Sequence, residues 1–180
     1  MGNFKEDIAK IKAFVFDVDG VLTDGGITVT ADGDFIRRFC ARDGFAISYA
    51  LKQGYTVAII TGGRGHCLKL RLEVLGIKNE HIYMNCYEKL DAMKDLLGKL
   101  SLGRDEVIYM GDDIPDVEPM MYLDMSACPS DAAVEVISAA RYVSQCKGGE
   151  GCGRDIIEQV LRARGDWPTF GQKDLGVASR

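Results

Sequence analysis

The chain is 180 residues long, 47% hydrophobic and 27% charged, with a net charge of −5. That length supplies one full hydrophobic core, and the composition excludes a disordered or fibrous chain. The negative charge argues against a broad nucleic-acid surface, no apolar run reaches membrane-spanning length, and residues 1–6 lack both an apolar signal core and the Ser or Thr of a myristoylation pattern. A cytoplasmic protein with neither nucleic acid nor membrane as partner is the expectation. Six cysteines at irregular spacing, with no Cys-x-x-Cys, read as reduced thiols. His66 and His81 form no ligand pair with Cys146 and Cys152, so no zinc site is expected.

In chain order, residues 13–16 form a short apolar run that ends at Asp17 and reads as a buried parallel strand. Residues 27–30 and 35–39 are β-prone runs around Ala31-Asp32-Gly33-Asp34, a hairpin signature. Ala46, Ile47, Ala50 and Leu51 then share a helical face, stopped at Gly54, and residues 57–60 read as a second core strand. Leu68, Leu72 and Leu75 mark a helix ending at Gly76; Leu90, Met93, Leu96 and Leu97 mark one that opens at Lys89 and stops before Gly103. Residues 107–110 and, more weakly, 125–128 are further strands. A glycine-rich loop at 148–153 precedes a final helix over 154–164. The pattern predicts a single α/β domain over residues 1–165, a Rossmann-like three-layer fold with a central parallel sheet and a small β-hairpin insert, followed by a loose tail over 166–180.

Chemistry-bearing residues follow the strands. The first strand runs into Asp17-Val18-Asp19-Gly20, the second into Thr61-Gly62-Gly63-Arg64, and the third into Gly111-Asp112-Asp113-Ile114-Pro115-Asp116. Open parallel sheets bind ligands at the carboxyl ends of their strands, so five carboxylates, a hydroxyl and flexible backbone gather at one edge, with Lys89 on the same side. Five acids with no base among them repel one another; a divalent cation resolves this, and ligands that are all oxygen select Mg²⁺. Without metal, several of these acids should hold their protons to raised pH. Each element alone is bland, a turn or a helix cap, but three directly after apolar strands point to one site.

These motifs, with Lys89 before the third strand, resemble those of the haloacid dehalogenase superfamily. The resemblance implies a phosphatase in which Asp17 is the nucleophile that forms an aspartyl phosphate, Asp19 the general acid and base, and Thr61 and Lys89 the holders of phosphoryl oxygens. It also implies Mg²⁺ on Asp17, Asp112 and the Asp19 backbone carbonyl, with Asp113 and Asp116 orienting its waters or Lys89. The short intervals between Asp19, Thr61 and Lys89 leave no room for a cap domain. A narrower likeness, over residues 10–165, is to the family of 3-deoxy-D-manno-octulosonate 8-phosphate phosphatases of lipopolysaccharide precursor synthesis. It rests on residues 19–25, Arg42-Asp43-Gly44, Arg71 and the 148–154 loop. This implies a homotetramer built by the hairpin, with a sugar-acid phosphate bound at subunit borders. The matched substrate positions are Asp19, Cys40, Ala41, Arg42, Asp43, Gly44, Ser48, Gly62, Gly63, Arg64, Arg71 and Lys89. Arg42, Arg64 and Arg71 suit anionic groups through bidentate hydrogen bonds. Gly63 and Glu150 depart from the usual pattern, and Glu150 favours a nonulosonate 9-phosphate as the alternative substrate. A receiver-like phosphoacceptor domain, which keeps its phosphoryl group, is the rival of another class; Asp19 favours turnover.

Overall fold

A computed structural model describes residues 4–169. The chain opens with α1 (Phe4–Ile8) and β1 (Ala13–Phe16), followed by the hairpin strands β2 (Thr28–Val29) and β3 (Phe35–Ile36). Next come α2 (Ala41–Lys52), β4 (Thr56–Ile60), α3 (His66–Val74), β5 (Ile82–Tyr83) and α4 (Lys89–Leu100). The remainder is β6 (Val107–Met110), α5 (Val117–Tyr122), β7 (Met125–Cys128), α6 (Val134–Ala139), β8 (Tyr142–Val143) and α7 (Cys152–Arg164).

Six strands form one sheet in the order β5-β4-β1-β6-β7-β8, parallel at every pairing, while β2 and β3 pair antiparallel outside it. The four residues of β1 are all buried, because both faces of the sheet are covered. Side chains alternate across it. Phe14, Phe16, Val57, Ile59, Ile108 and Met110 face a core shared with α2, α3 and α7. Ala13, Val15, Ala58, Ile60, Val107 and Tyr109 face a second core shared with α4, α5 and α6. The result is three layers around one sheet. From β1 the chain winds outward to β4 and β5, then returns through α4 to β6 on the other flank of β1. That reversal is a topological switch point, and it opens a crevice beyond the carboxyl end of β1.

The expected elements are present, with adjusted ends. Only the hairpin and α2 lie between β1 and β4, and only α3 and a 3-10 turn (Asn79–His81) between β4 and β5, so no cap is inserted. Gly54 and Gly76 take left-handed backbone as helix stops do, but Gly103 does not end α4; Ser101 takes that conformation, with φ 53°. The final helix starts at Cys152, ahead of the expected 154. The first residues of the expected tail are packed: Trp167 is buried edge-on against Phe45 and Tyr49, and Asp166 accepts the Tyr55 hydroxyl at 2.6 Å. Residues 170–180 lie outside the described part. All six cysteines are free thiols. Among the described residues no helix is long and apolar enough to cross a membrane.

Candidate active site

Asp17 follows β1 directly, and its N–H donates to Met110 O at 3.0 Å, extending the β1–β6 pairing to the strand ends. Lys89 heads α4 and reaches into the crevice, with Nζ 3.0 Å from Asp17 Oδ2 and 2.6 Å from Asp116 Oδ1. Asp116 is wholly buried and fully occupied. Its Oδ1 accepts from Lys89 and the Tyr109 hydroxyl, and its Oδ2 accepts the N–H groups of Asp112 and Asp113 at 3.0 and 3.2 Å. Two glycines let these carboxylates approach so closely. A Cβ on Gly20 would fall 1.9 Å from Asp112 Oδ2, and one on Gly111 would fall 2.3 Å from Asp116 Cγ.

Asp17, Asp112 and Asp116 each place a carboxylate oxygen within 4.8 Å of the others. Asp116 is saturated by its four donors, so it acts on Lys89 and the backbone. Asp17 Oδ1 and Asp112 Oδ1 are different: both are buried with no hydrogen-bond partner. A buried carboxylate oxygen without a donor is costly, and two side by side leave a seat for a cation. Burial, then the Asp116 charge, raises the pKa of Asp17 to about 6 against the opposing pull of Lys89. Burial, then Asp17 and Asp116, raises that of Asp112 to about 8. Burial acts to depress Lys89, but its two carboxylate neighbours outweigh it and the ammonium is stabilised. The raised acids match the expectation for a metal-free site, and hard oxygen donors fit Mg²⁺.

The five acids are not, however, a cluster without a base. Asp19 pairs bidentately with Arg37, from Nε to Oδ1 at 2.6 Å and from Nη2 to Oδ2 at 3.0 Å. Asp113 is exposed and turns away, its Oδ1 accepting Ile114 N at 2.8 Å to cap a 3-10 turn (Ile114–Asp116). Of the two acids expected to orient the metal's waters or Lys89, Asp116 alone touches Lys89. Thr61 is buried at the end of β4, its Oγ1 accepting Gly63 N at 3.0 Å. A Cβ on Gly63 would lie 3.1 Å from Thr61 Oγ1, Asp19 Oδ2 and Arg37 Nη2 alike, so this glycine keeps open the point where the three meet. Gly62 faces Tyr87 and the Cys86 carbonyl.

The other residues marked from the sequence gather around α2. Cys40 precedes the helix and Ala41 is exposed at its start. The Arg42 guanidinium donates to Glu150 O at 2.8 Å. Asp43 is buried, with Oδ1 accepting Arg154 N at 2.6 Å. Gly44 makes room for Arg71, whose Nη2 would stand 2.7 Å from a Cβ there. Arg71 lies over the Phe39 ring and leaves its Nε buried without an acceptor. The Ser48 hydroxyl donates to Leu75 O, and Arg64 lies over Phe35. Two residues escaped the sequence reading. Tyr109 carried a signal, a hydroxyl inside a four-residue core strand that needs a buried partner. Arg37 carried none beyond its place in the β-prone run over 35–39.

Fold and site together define a metal-dependent α/β hydrolase. The sequence profile of the haloacid dehalogenase-like hydrolases matches residues 78–154. The 3-deoxy-D-manno-octulosonate 8-phosphate phosphatase of Escherichia coli K12 is 38% identical over 155 residues, 86% of this chain and 81% of that protein. The crystal structure of the Yersinia pestis phosphatase of the same name superposes with a TM-score of 0.86 at 34% identity, covering 90% of this chain and 86% of that one. The Moraxella catarrhalis phosphatase, solved with magnesium ion, phosphate ion and a KDO molecule, also gives 0.86, at 29% identity and covering 90% and 92%. The chain therefore belongs to the haloacid dehalogenase-like hydrolases, within the family of the 3-deoxy-D-manno-octulosonate 8-phosphate phosphatases.

Proposed function

We propose that this chain hydrolyses 3-deoxy-D-manno-octulosonate 8-phosphate to the sugar acid and phosphate, with Asp17 as the nucleophile. The observation that carries the reading is the Asp17 carboxylate, buried, with Oδ2 on Lys89 and Oδ1 facing no donor. One oxygen is oriented and the other is left for chemistry.

Asp17, Asp112 and the Asp19 backbone carbonyl would hold Mg²⁺, which when bound would supply positive charge that lets the acids ionise and offsets charge on the phosphoryl oxygens. Lys89 and Thr61 hold the phosphoryl group in line with the Asp17 carboxylate, and Asp116 fixes Lys89 in that position. Asp17 attacks phosphorus, forming an aspartyl phosphate, while Asp19 gives a proton to the departing sugar oxygen. Asp19 then takes a proton from the water that releases phosphate and regenerates Asp17. Arg71, with its unpaired Nε and its face on Phe39, is the best placed of the three marked arginines to meet the sugar carboxylate. The chain works as an assembly of copies of itself, a tetramer in the arrangement that its family likeness implies, joined through the hairpin.

The test is kcat/KM for octulosonate 8-phosphate and a nonulosonate 9-phosphate, with Mg²⁺ and in excess EDTA. The expected result is a preference for the eight-carbon ester and loss of both activities with chelator. A preference for the nine-carbon ester transfers the substrate assignment, and full activity in EDTA removes the metal from the mechanism.

A further inference from the structure

Both oxygens of Asp19 are gripped by Arg37, with a longer hydrogen bond from the Thr23 hydroxyl to Oδ1 at 3.4 Å beside it. Arg37 grips the carboxylate with Nε and Nη2, and its side chain is only 3% exposed although it comes from the end of a surface hairpin. The remaining terminal nitrogen, Nη1, donates to the carbonyls of Phe35 at 3.2 Å and Arg64 at 3.1 Å. Four of the five guanidinium N–H groups are thus engaged. They tie three pieces together: the strand end of the hairpin, the loop that follows Thr61, and Asp19. The hairpin is itself pinned, because the Asp34 carboxylate accepts the N–H groups of Phe35, His66 and Cys67 at the start of α3. Arg37 therefore has a fixed base from which to hold Asp19.

We infer that Arg37 is a positioning residue for Asp19, setting the plane and direction of the carboxyl group that serves the leaving oxygen. The inference rests on the acid and base role proposed for Asp19 and deepens it. A carboxylate on two free torsions samples several directions; a planar fork on both oxygens selects one. During transfer the Asp19 O–H proton moves to the ester oxygen as the bond from phosphorus to that oxygen breaks and the bond from phosphorus to Asp17 forms. For this step the Asp19 oxygen that carries the proton leaves the Arg37 fork and faces the ester, while the other keeps its guanidinium N–H and with it the direction of the carboxyl. The proton is recovered from the hydrolytic water, so the cycle closes on itself.

A leaving-group comparison separates positioning from simple support of the fold. Phenyl phosphate needs a proton on its departing oxygen far more than p-nitrophenyl phosphate, and the two differ little in shape. With Mg²⁺ present, kcat/KM reports the steps through leaving-group departure. Arg37→Met should lower it on the order of tenfold for phenyl phosphate and at most about twofold for p-nitrophenyl phosphate, with Arg37→Lys in between. Partial unfolding lowers both substrates in proportion, so an equal loss, or no loss on either, overturns the inference. Asp19→Asn is measured alongside. If it too lowers both equally, the acid role itself fails; if it discriminates and Arg37→Met does not, the Arg37 inference fails alone.

Discussion

Asp43 lies buried under the first turn of α2, with Oδ1 on the Arg154 N–H and Oδ2 facing no donor. It stands in for a side-chain cap on α7, whose own cap position is Gly151. Burial raises its pKa from 3.8 to about 6, and the Arg154 N–H and the Arg42 and Arg154 charges recover only part of the cost. The folded chain holds this proton more tightly than the unfolded chain. The stabilisation is thus complete below about pH 4 and is lost as pH climbs through about 6. The change is on the order of 2–3 kcal/mol. Asp43→Asn keeps the acceptor for Arg154 and removes the titration. Unfolding by denaturant from pH 4 to 7 should show the wild type losing stability relative to this variant; parallel pH profiles would show that Asp43 is not the buried acid described. Asp34 shows the opposite case: hydrogen bonds from Cys67, Phe35 and His66 bring its pKa down to about 2. Burial dominates at Asp43 despite its donor, and hydrogen-bond donors dominate at the less buried Asp34.

At the scale of elements, the loop before α7 is a brace for the loop after β1. Gly149 N donates to Val21 O at 2.9 Å and Gly148 N to Asp131 Oδ1 at 2.9 Å. A Cβ on Gly148 would stand 2.0 Å from Gly20 O, and one on Gly149, whose φ is +67°, would stand 2.5 Å from Asp24 N. The two backbones touch where no side chain fits. Within the chain this glycine run packs against the segment that carries Asp19. Gly149→Ala should cost about 2–3 kcal/mol through clash and a left-handed backbone, and lower turnover as the segment shifts. Calorimetry with a p-nitrophenyl phosphate assay checks both, and an unchanged melting temperature would show the loop yields freely. Legibility divides along the same line. Asp17 and Thr61 were readable because each directly follows an apolar run, and Asp112 because a single glycine separates it from one; a strand end fixes where the next residues point. Arg37 and the brace were not, because both depend on how an irregular segment folds back onto the sheet. Likewise Gly103 carries the helix-stop signal, yet Ser101 ends α4 two residues earlier, through a left-handed turn that Ser adopts only with tertiary support.

For the whole molecule, the sheet places the site, and the hairpin beside it presents an apolar surface outward. The switch point beside β1 brings Asp17, Lys89 and Asp112 together from three separate stretches of one chain, so the metal seat needs no second copy. The hairpin is another matter. Its two strands pair over only two residues each, and Ile27, Val29 and Ile36 are 48%, 63% and 49% exposed. A two-stranded ribbon of that size has little stability of its own, and exposed apolar side chains clustered on it mark a surface made to be covered. Its inner side is tied down through Asp34 and Arg37, so the apolar side faces outward on a rigid support. A second copy of the hairpin is the simplest cover, each buried apolar side chain being worth roughly 1.5–3 kcal/mol. Val29→Lys with Ile36→Lys should therefore reduce the sedimentation coefficient to that of a monomer. Hydrolysis of p-nitrophenyl phosphate should persist, since its machinery lies within one chain. Where the family likeness places the sugar acid at a border between copies, efficiency toward that phosphate should fall more than that toward p-nitrophenyl phosphate. Unchanged sedimentation of the double variant would remove the hairpin as the assembly surface, and equal losses on the two substrates would place the whole sugar site within a single chain.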